Sequence, residues 1–213
     1  LLKQMVSLWL PMFVNSAVIT IGGSYVSRNV NAIGPYFTAG ISSGTKIFTM
    51  LESLIMAIQT GLSVFIGQNL GAGEITRIKK GVHASSFLAF LTSAFISIVM
   101  FLFGKTLLSM FISGDPEQTS QVLAIAWHYL SIMASCLCIL YFLYVYRSAL
   151  QGLGNTMIPM LSGVVEFFVR VGVALLLPKL IGQNGIFYAE IAAWTGAAVL
   201  LMISYYINIR KFA

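Results

Sequence analysis

The sequence predicts an all-α, polytopic membrane protein that crosses the bilayer six times. Composition is the first reason. Of 213 residues, 58% are hydrophobic and 8% charged, with a mean hydropathy of +0.91, whereas a soluble domain of this length needs far more charge to cover its surface. A very large buried core is no alternative, because a chain of this size still exposes much of its surface. The second reason is segmentation: the apolar residues come in stretches of about 20 or more, the length that spans a hydrocarbon core, separated by turn signals. The third is the placement of the basic residues between those stretches.

Six stretches qualify, over 6–32, 36–68, 81–103, 121–146, 157–178 and 187–207. The breaks fall at Gly34-Pro35, at Gly71-Ala72-Gly73, at Gly114-Asp115-Pro116, from Gly152 to Asn155, and from Gly182 to Gly185, all of them turn-forming combinations. With the N-terminus inside, the inner segments hold Lys3, Arg77, Lys79, Lys80, Arg147, Arg210 and Lys211. The outer ones hold Arg28, Lys105 and Lys179, and add Asp115 and Glu117. This imbalance obeys the positive-inside rule and puts both termini in the cytoplasm. Lys46 and Arg170 fall within spans and are left out of the balance. The net charge of +6 forms no single patch or aromatic-interleaved stripe, so nucleic acid is not an expected partner. The lipid bilayer is.

The first helix carries a polar series, Asn15, Ser16, Thr20, Ser24, Ser27 and Asn31, with Pro11 early in it. The proline frees a backbone carbonyl and marks either a bend or a first turn. The second helix is the most informative. Thr38, Ser42, Thr45, Thr49, Glu52, Gln59 and Ser63 follow at three- and four-residue steps, with Met56 interrupting, and so share one stripe. Ile41, Phe48, Ile55 and Leu62 occupy the other face. Lipid does not tolerate such a stripe, which should face other helices or a water-filled cavity. Glu52, near mid-span, is costly there when ionised, about 2.5–3.5 kcal/mol on insertion scales. It either handles protons or substrate, or it is neutral or paired and holds the bundle together. Gly40 and Gly44 form a G-x-x-x-G pair suited to close helix packing.

The later helices contribute less. Cys136 and Cys138, at i, i+2 in the fourth, point apart on a helix and suit packing rather than a disulfide or metal site. In the fifth, Glu166 and Arg170 stand at i, i+4 with the acid first, the better order for an ion pair, and read as a structural clamp. Glu190 begins the sixth, where the helix dipole favours an acid, again a structural role. His83 and His128 are isolated, and no metal-ligand, phosphate-loop or nucleophile–base motif is present. No enzymatic chemistry, metal or cofactor is expected.

After the second helix the chain reads Gly67-Gln68-Asn69-Leu70-Gly71-Ala72-Gly73, then Arg77 and Lys79-Lys80-Gly81. This closely resembles the Gly-Gln-Asn-x-Gly-Ala loop of the multidrug and toxic compound extrusion (MATE) antiporters. Similar matches follow in order: Asn31 to Gly34, Ala149 to Thr156 with Gln151, Gly152, Gly154 and Asn155, then Pro159, Glu166 to Arg170, and Glu190 to Trp194. Together they resemble the second half of such a transporter, helices seven to twelve of twelve. The chain begins with Leu, which fits a fragment or a gene broken in two.

The resemblance implies one lobe of a two-lobed secondary transporter in the cell membrane. Such a transporter exports cationic or amphipathic compounds by alternating access, against protons or sodium. The other lobe would come from the missing N-terminal half or a second copy. This lobe would supply a cavity wall from its first two helices and its fourth, where Ser131, Ser135, Cys138 and Tyr141 lie. The sodium-coupled branch carries acids in the first and fourth helices of this lobe, and this sequence has none there, which favours a proton. The pathway candidates are Asn15, Thr20, Thr45, Thr49, Glu52, Gln59, Ser131 and Tyr141. Two alternatives stand beside this reading: an exporter of lipid-linked or other endogenous metabolites, and a non-transporting fragment.

Overall fold

The computed structural model describes residues 2–212, apart from the side chains at positions 3, 4 and 183. Lys3, counted in the charge balance above, is therefore among the undescribed side chains. Seven α-helices follow one another: α1 (Leu2–Ile33), α2 (Pro35–Gly71), α3 (Ile75–Ser109), α4 (Pro116–Ser135), α5 (Leu137–Gly152), α6 (Met157–Ile181) and α7 (Phe187–Ile209). Short 3-10 turns cover Gln183–Ile186 and Arg210–Phe212. Among the described residues there is no strand.

Five helices are long and apolar enough to cross a membrane alone, and α4 with α5 makes a sixth, broken span. Their outer surfaces carry Phe95, Leu102, Phe168 and Leu176, each more than 60% exposed, an arrangement that only a lipid solvent accommodates. At 37 residues, α2 is about 55 Å long. It therefore overreaches the roughly 30 Å hydrocarbon core, and its ends belong to the interfaces.

The single predicted helix over 121–146 is in fact two, bent by 51° at Cys136. No proline or glycine is involved. Instead Ser131 and Ser135 turn their hydroxyls onto the carbonyls of His128 and Ser131, at 2.9 and 2.7 Å, a back-bonding that bends helices. The Cys136 amide donates to Met133, one residue short of the α-helical register. The Ala134 carbonyl accepts the Ser97 hydroxyl of α3 at 2.7 Å, so the break leaves that acceptor satisfied.

α5 forms the middle of the bundle, with Leu137, Tyr141, Val145, Ala149 and Leu150 fully buried. It runs in the same direction as α2, Tyr144 opposite Glu52 and Gly152 opposite Ile66. The Gly40–Gly44 pair works as its spacing suggested. An added Cβ at Gly40 would stand 2.8 Å from Ile125, and one at Gly44 2.6 Å from Tyr129, so α2 and α4 touch nearly backbone to backbone. α1 leans mainly on α6 and only lightly on α2. That leaves a cleft between two polar-striped helices.

The two glycine-rich loops share one geometry. Gly73 (φ +75°) and Gly154 (φ +78°) are left-handed. The following amides of Glu74 and Asn155 reach back to the carbonyls of Asn69 and Leu150, at 2.8 and 3.0 Å. Both are Schellman endings, which require glycine at the left-handed position. Asn69 and Asn155 add side-chain bonds, Asn69 to the Phe65 carbonyl at 2.7 Å and Asn155 to Asn208 at 3.2 Å.

Candidate functional site

The C-terminal end of the α1 stripe meets the N-terminal part of the α2 stripe. Ser27 and Asn31 of α1 face Thr38, Ser42, Thr45 and Thr49 of α2 across a cavity of about 930 Å³, closed further by Tyr129 of α4 and by Phe187 and Glu190 of α7. The Thr49 hydroxyl bonds the Thr45 carbonyl at 2.9 Å, so its own hydrogen is spent on the helix while its oxygen stays available to a solute. Lys46 and Glu190 are the charged side chains on this wall. On the opposite face of α2, Ile55 and Leu62 are buried in the protein core.

An adjoining cavity of about 220 Å³ shares Thr45, Thr49, Tyr129 and Glu190 with the first and adds Glu52, Tyr144, Arg147, Glu166 and Arg170. Here four helices exchange charge. The Tyr144 hydroxyl donates to Glu52 at 2.5 Å. Arg147 donates to Glu166, and to the Ser162 hydroxyl at 3.3 Å. Arg170 lies 3.7 Å from Glu166 and donates twice to Glu190, at 2.8 and 3.1 Å. Glu166, Arg147 and Arg170 are almost wholly buried, a setting in which a charge persists only if it is paired and hydrogen-bonded. Two guanidinium groups serve three carboxylates, so the cluster carries one surplus acid. Of these three acids, Glu52 is the one with no ion-pair partner among the described residues.

Three expectations change here. The Glu166–Arg170 clamp is real but secondary: Glu166 holds Arg147 of α5 more closely, and Arg170 holds Glu190 of α7. Arg147, counted above among the inner-segment charges, is a buried structural cation and not a topology signal. Glu190 sits in the first turn of α7 as expected, yet its carboxylate is tied to Arg170 and not to the helix end alone.

The other pathway candidates divide. Thr45, Thr49 and Glu52 line the cavities. Asn15 does not; it is buried against α6, where a Cβ on Gly163 would collide with its Oδ1. Thr20 bonds back to its own Ser16 carbonyl at 2.8 Å. Ser131 belongs to the α4 bend. The fully buried Tyr141 stitches α5 to the Leu51 carbonyl at 3.1 Å. Gln59 is half-buried, further along α2 than the cavities reach. Of the motif residues, Pro11 is buried within α1, and Gly152 lets α5 approach the Ser63 carbonyl of α2, 2.8 Å from where a Cβ would stand. Gly67, Gln68 and Gly71 lie exposed at the end of α2, and the Gln151 carbonyl receives the Gly154 amide at 2.9 Å. Sequence reasoning passed over Tyr129 and Tyr144, whose only signal was an aromatic with a polar tip inside an apolar run.

Comparison with known proteins places these features in a family context. A model of the MatE family matches residues 11–176. A probable multidrug resistance protein of Bacillus subtilis, YoeA, is 26% identical over 84% of this chain and 38% of its own length. A FAD transporter of Shewanella oneidensis is 33% identical over 37% of this chain and 17% of its own. Among solved structures, a transporter from Pyrococcus furiosus superposes with a TM-score of 0.88 at 18% identity, over 99% of this chain and 48% of the other. The Vibrio cholerae transporter VcmN in its bent form gives 0.88 at 18%, over 99% and 47%. The chain spans about half, or less, of the length of these relatives.

Proposed function

The chain belongs to the MatE family, and from that premise we propose that it forms one six-helix lobe of a secondary exporter, with both termini in the cytoplasm of a cell membrane. Its cargo is a cationic or amphipathic compound, moved by alternating access against protons. The observation that carries this reading is the 930 Å³ cavity lined by the polar stripes of α1 and α2, backed by a buried cluster with a surplus carboxylate. A cavity of that size accepts a drug-sized molecule. Hydroxyls and aromatic rings on its wall suit an amphipathic solute, and the surplus acid of the adjoining smaller cavity favours a positive one.

Glu52 supports the proton as coupling ion. It adjoins Thr45 and Thr49 in the smaller cavity and is held by a phenol and not by a cation, so proton exchange there breaks no ion pair. The opposite lobe, from an N-terminal half or a second copy, closes the cavity. The relatives' greater length and the openness of the cleft between α1 and α2 both favour such an arrangement.

A second reading rests on Lys46, which brings a positive charge to the same wall. With a FAD transporter among the relatives, an anionic endogenous metabolite is the alternative cargo. Uptake of ethidium into energised inverted vesicles, the counterpart of efflux from the cell, with this chain expressed beside the N-terminal lobe of a relative, separates the two. Proton-driven uptake supports the cationic reading. Its absence, with transport of a dinucleotide instead, would transfer the assignment to the second.

A further inference from the structure

We infer that Glu190 is the cation-recognising carboxylate of the main cavity, and that Arg170 is its internal competitor. The inference deepens the cationic-cargo reading and rests on it. Glu190 is the acid that lines both cavities. Its side chain keeps 24% of its surface open, whereas those of Arg147, Glu166 and Arg170 keep no more than 7%. Glu52, the acid singled out by the sequence, does not reach the larger wall.

The bonding at Glu190 is lopsided. Both Arg170 contacts, from Nε at 3.1 Å and Nη2 at 2.8 Å, fall on Oε2. Among the described residues Oε1 accepts no hydrogen bond, so half of the carboxylate stays free to meet a solute. Arg170 also has somewhere to go. The same Nη2 already lies 3.7 Å from Glu166, and Nη1 is buried without a partner. A positive charge arriving at Glu190 weakens its hold on Arg170, and a small swing gives Arg170 to Glu166 with neither Glu166 nor Glu190 left unpaired. Tyr129 and Phe187, at 5.9 Å between ring centroids, stand on the same wall. Both rings are buried, with Phe187 stacked on Phe37 at 5.7 Å, so they give the wall beside the carboxylate a rigid apolar edge, which suits an aryl-substituted organic cation held by charge at Glu190 and by apolar contact around it.

The test measures binding of tetraphenylphosphonium and of the neutral triphenylphosphine oxide to the purified chain in detergent. The wild type should prefer the cation by on the order of tenfold, a charge-assisted contact's worth of affinity, and Glu190→Gln should bind both alike. Should that variant not fold, the double variant Glu190→Gln with Arg170→Gln removes both partners and leaves no orphan charge; it too should lose the preference. A preference retained in either variant would overturn the inference and leave the cargo reading standing. A wild type that shows no preference overturns both.

Discussion

Replacing Glu166 by Gln probes the element on which the site is built. The carboxylate receives Arg147 from α5 and lies 3.7 Å from Arg170 on its own helix, and all three side chains keep 7% or less of their surface. Arg170 retains Glu190 at 2.8 Å, so the loss concentrates on Arg147. That guanidinium would keep the Ser162 hydroxyl at 3.3 Å, the Tyr144 ring at 5.8 Å and a neutral amide. Stranding one member of a buried ion pair costs about 3–5 kcal/mol. The amide recovers part of this, which puts the expected loss near about 3 kcal/mol. For a chain of this length each kcal/mol moves Tm by about 2–4 °C, so thermal unfolding in detergent should show a fall of roughly 6–12 °C. The double variant Arg147→Met with Glu166→Leu removes both charges, and an apolar pair of similar volume is neutral or stabilising. It should melt above the Glu166→Gln single variant. A single variant within about 1 kcal/mol of wild type, or a double variant that melts lower still, would refute the view that α5 and α6 are joined by this charge pair.

Three further outcomes follow from the same structure. Glu52→Gln should abolish the proton dependence of efflux, measured as cation export against an imposed pH gradient; coupling left intact would move the proton site elsewhere. Gly152→Ala drives a Cβ to 2.7 Å from Ile66 and 2.8 Å from the Ser63 carbonyl, and overpacking of this kind costs about 1–3 kcal/mol in the same melting assay. Ser97→Ala leaves the Ala134 carbonyl at the α4–α5 break without its 2.7 Å donor, and an unsatisfied buried acceptor costs about 1–3 kcal/mol; a smaller effect would mean that the bend holds without α3.

What the sequence made legible follows from how locally each feature is determined. The Schellman loops are local, since Gly73 and Gly154 sit where only glycine is comfortable, and the flanking residues could be read as turns directly. The stripe on α2 is local too, because a helix converts three- and four-residue spacing into a face. The break at Cys136 is hidden because serine hydroxyls do the work of a proline without its signature. The pairing of Arg147 with Glu166 joins residues on different helices, so their proximity is a product of packing, and Arg147 looked like an interfacial charge. Tyr141 shows the converse error. Its place in an expected pathway helix suggested a solute contact, but its hydroxyl is used to tie α5 to the Leu51 carbonyl.

The central claim is that the α2 stripe faces a water-filled, cargo-accepting space while its other face is sealed in protein. Cysteine accessibility tests it directly, in a background where Cys136 and Cys138 are replaced by alanine. Cysteines placed at Ser42 and Thr45 should react with a charged, membrane-impermeant thiol reagent, and tetraphenylphosphonium should protect them, while one placed at Leu62 should stay inert. Inert cysteines at Ser42 and Thr45, or labelling at Leu62 that matches theirs, would contradict the account.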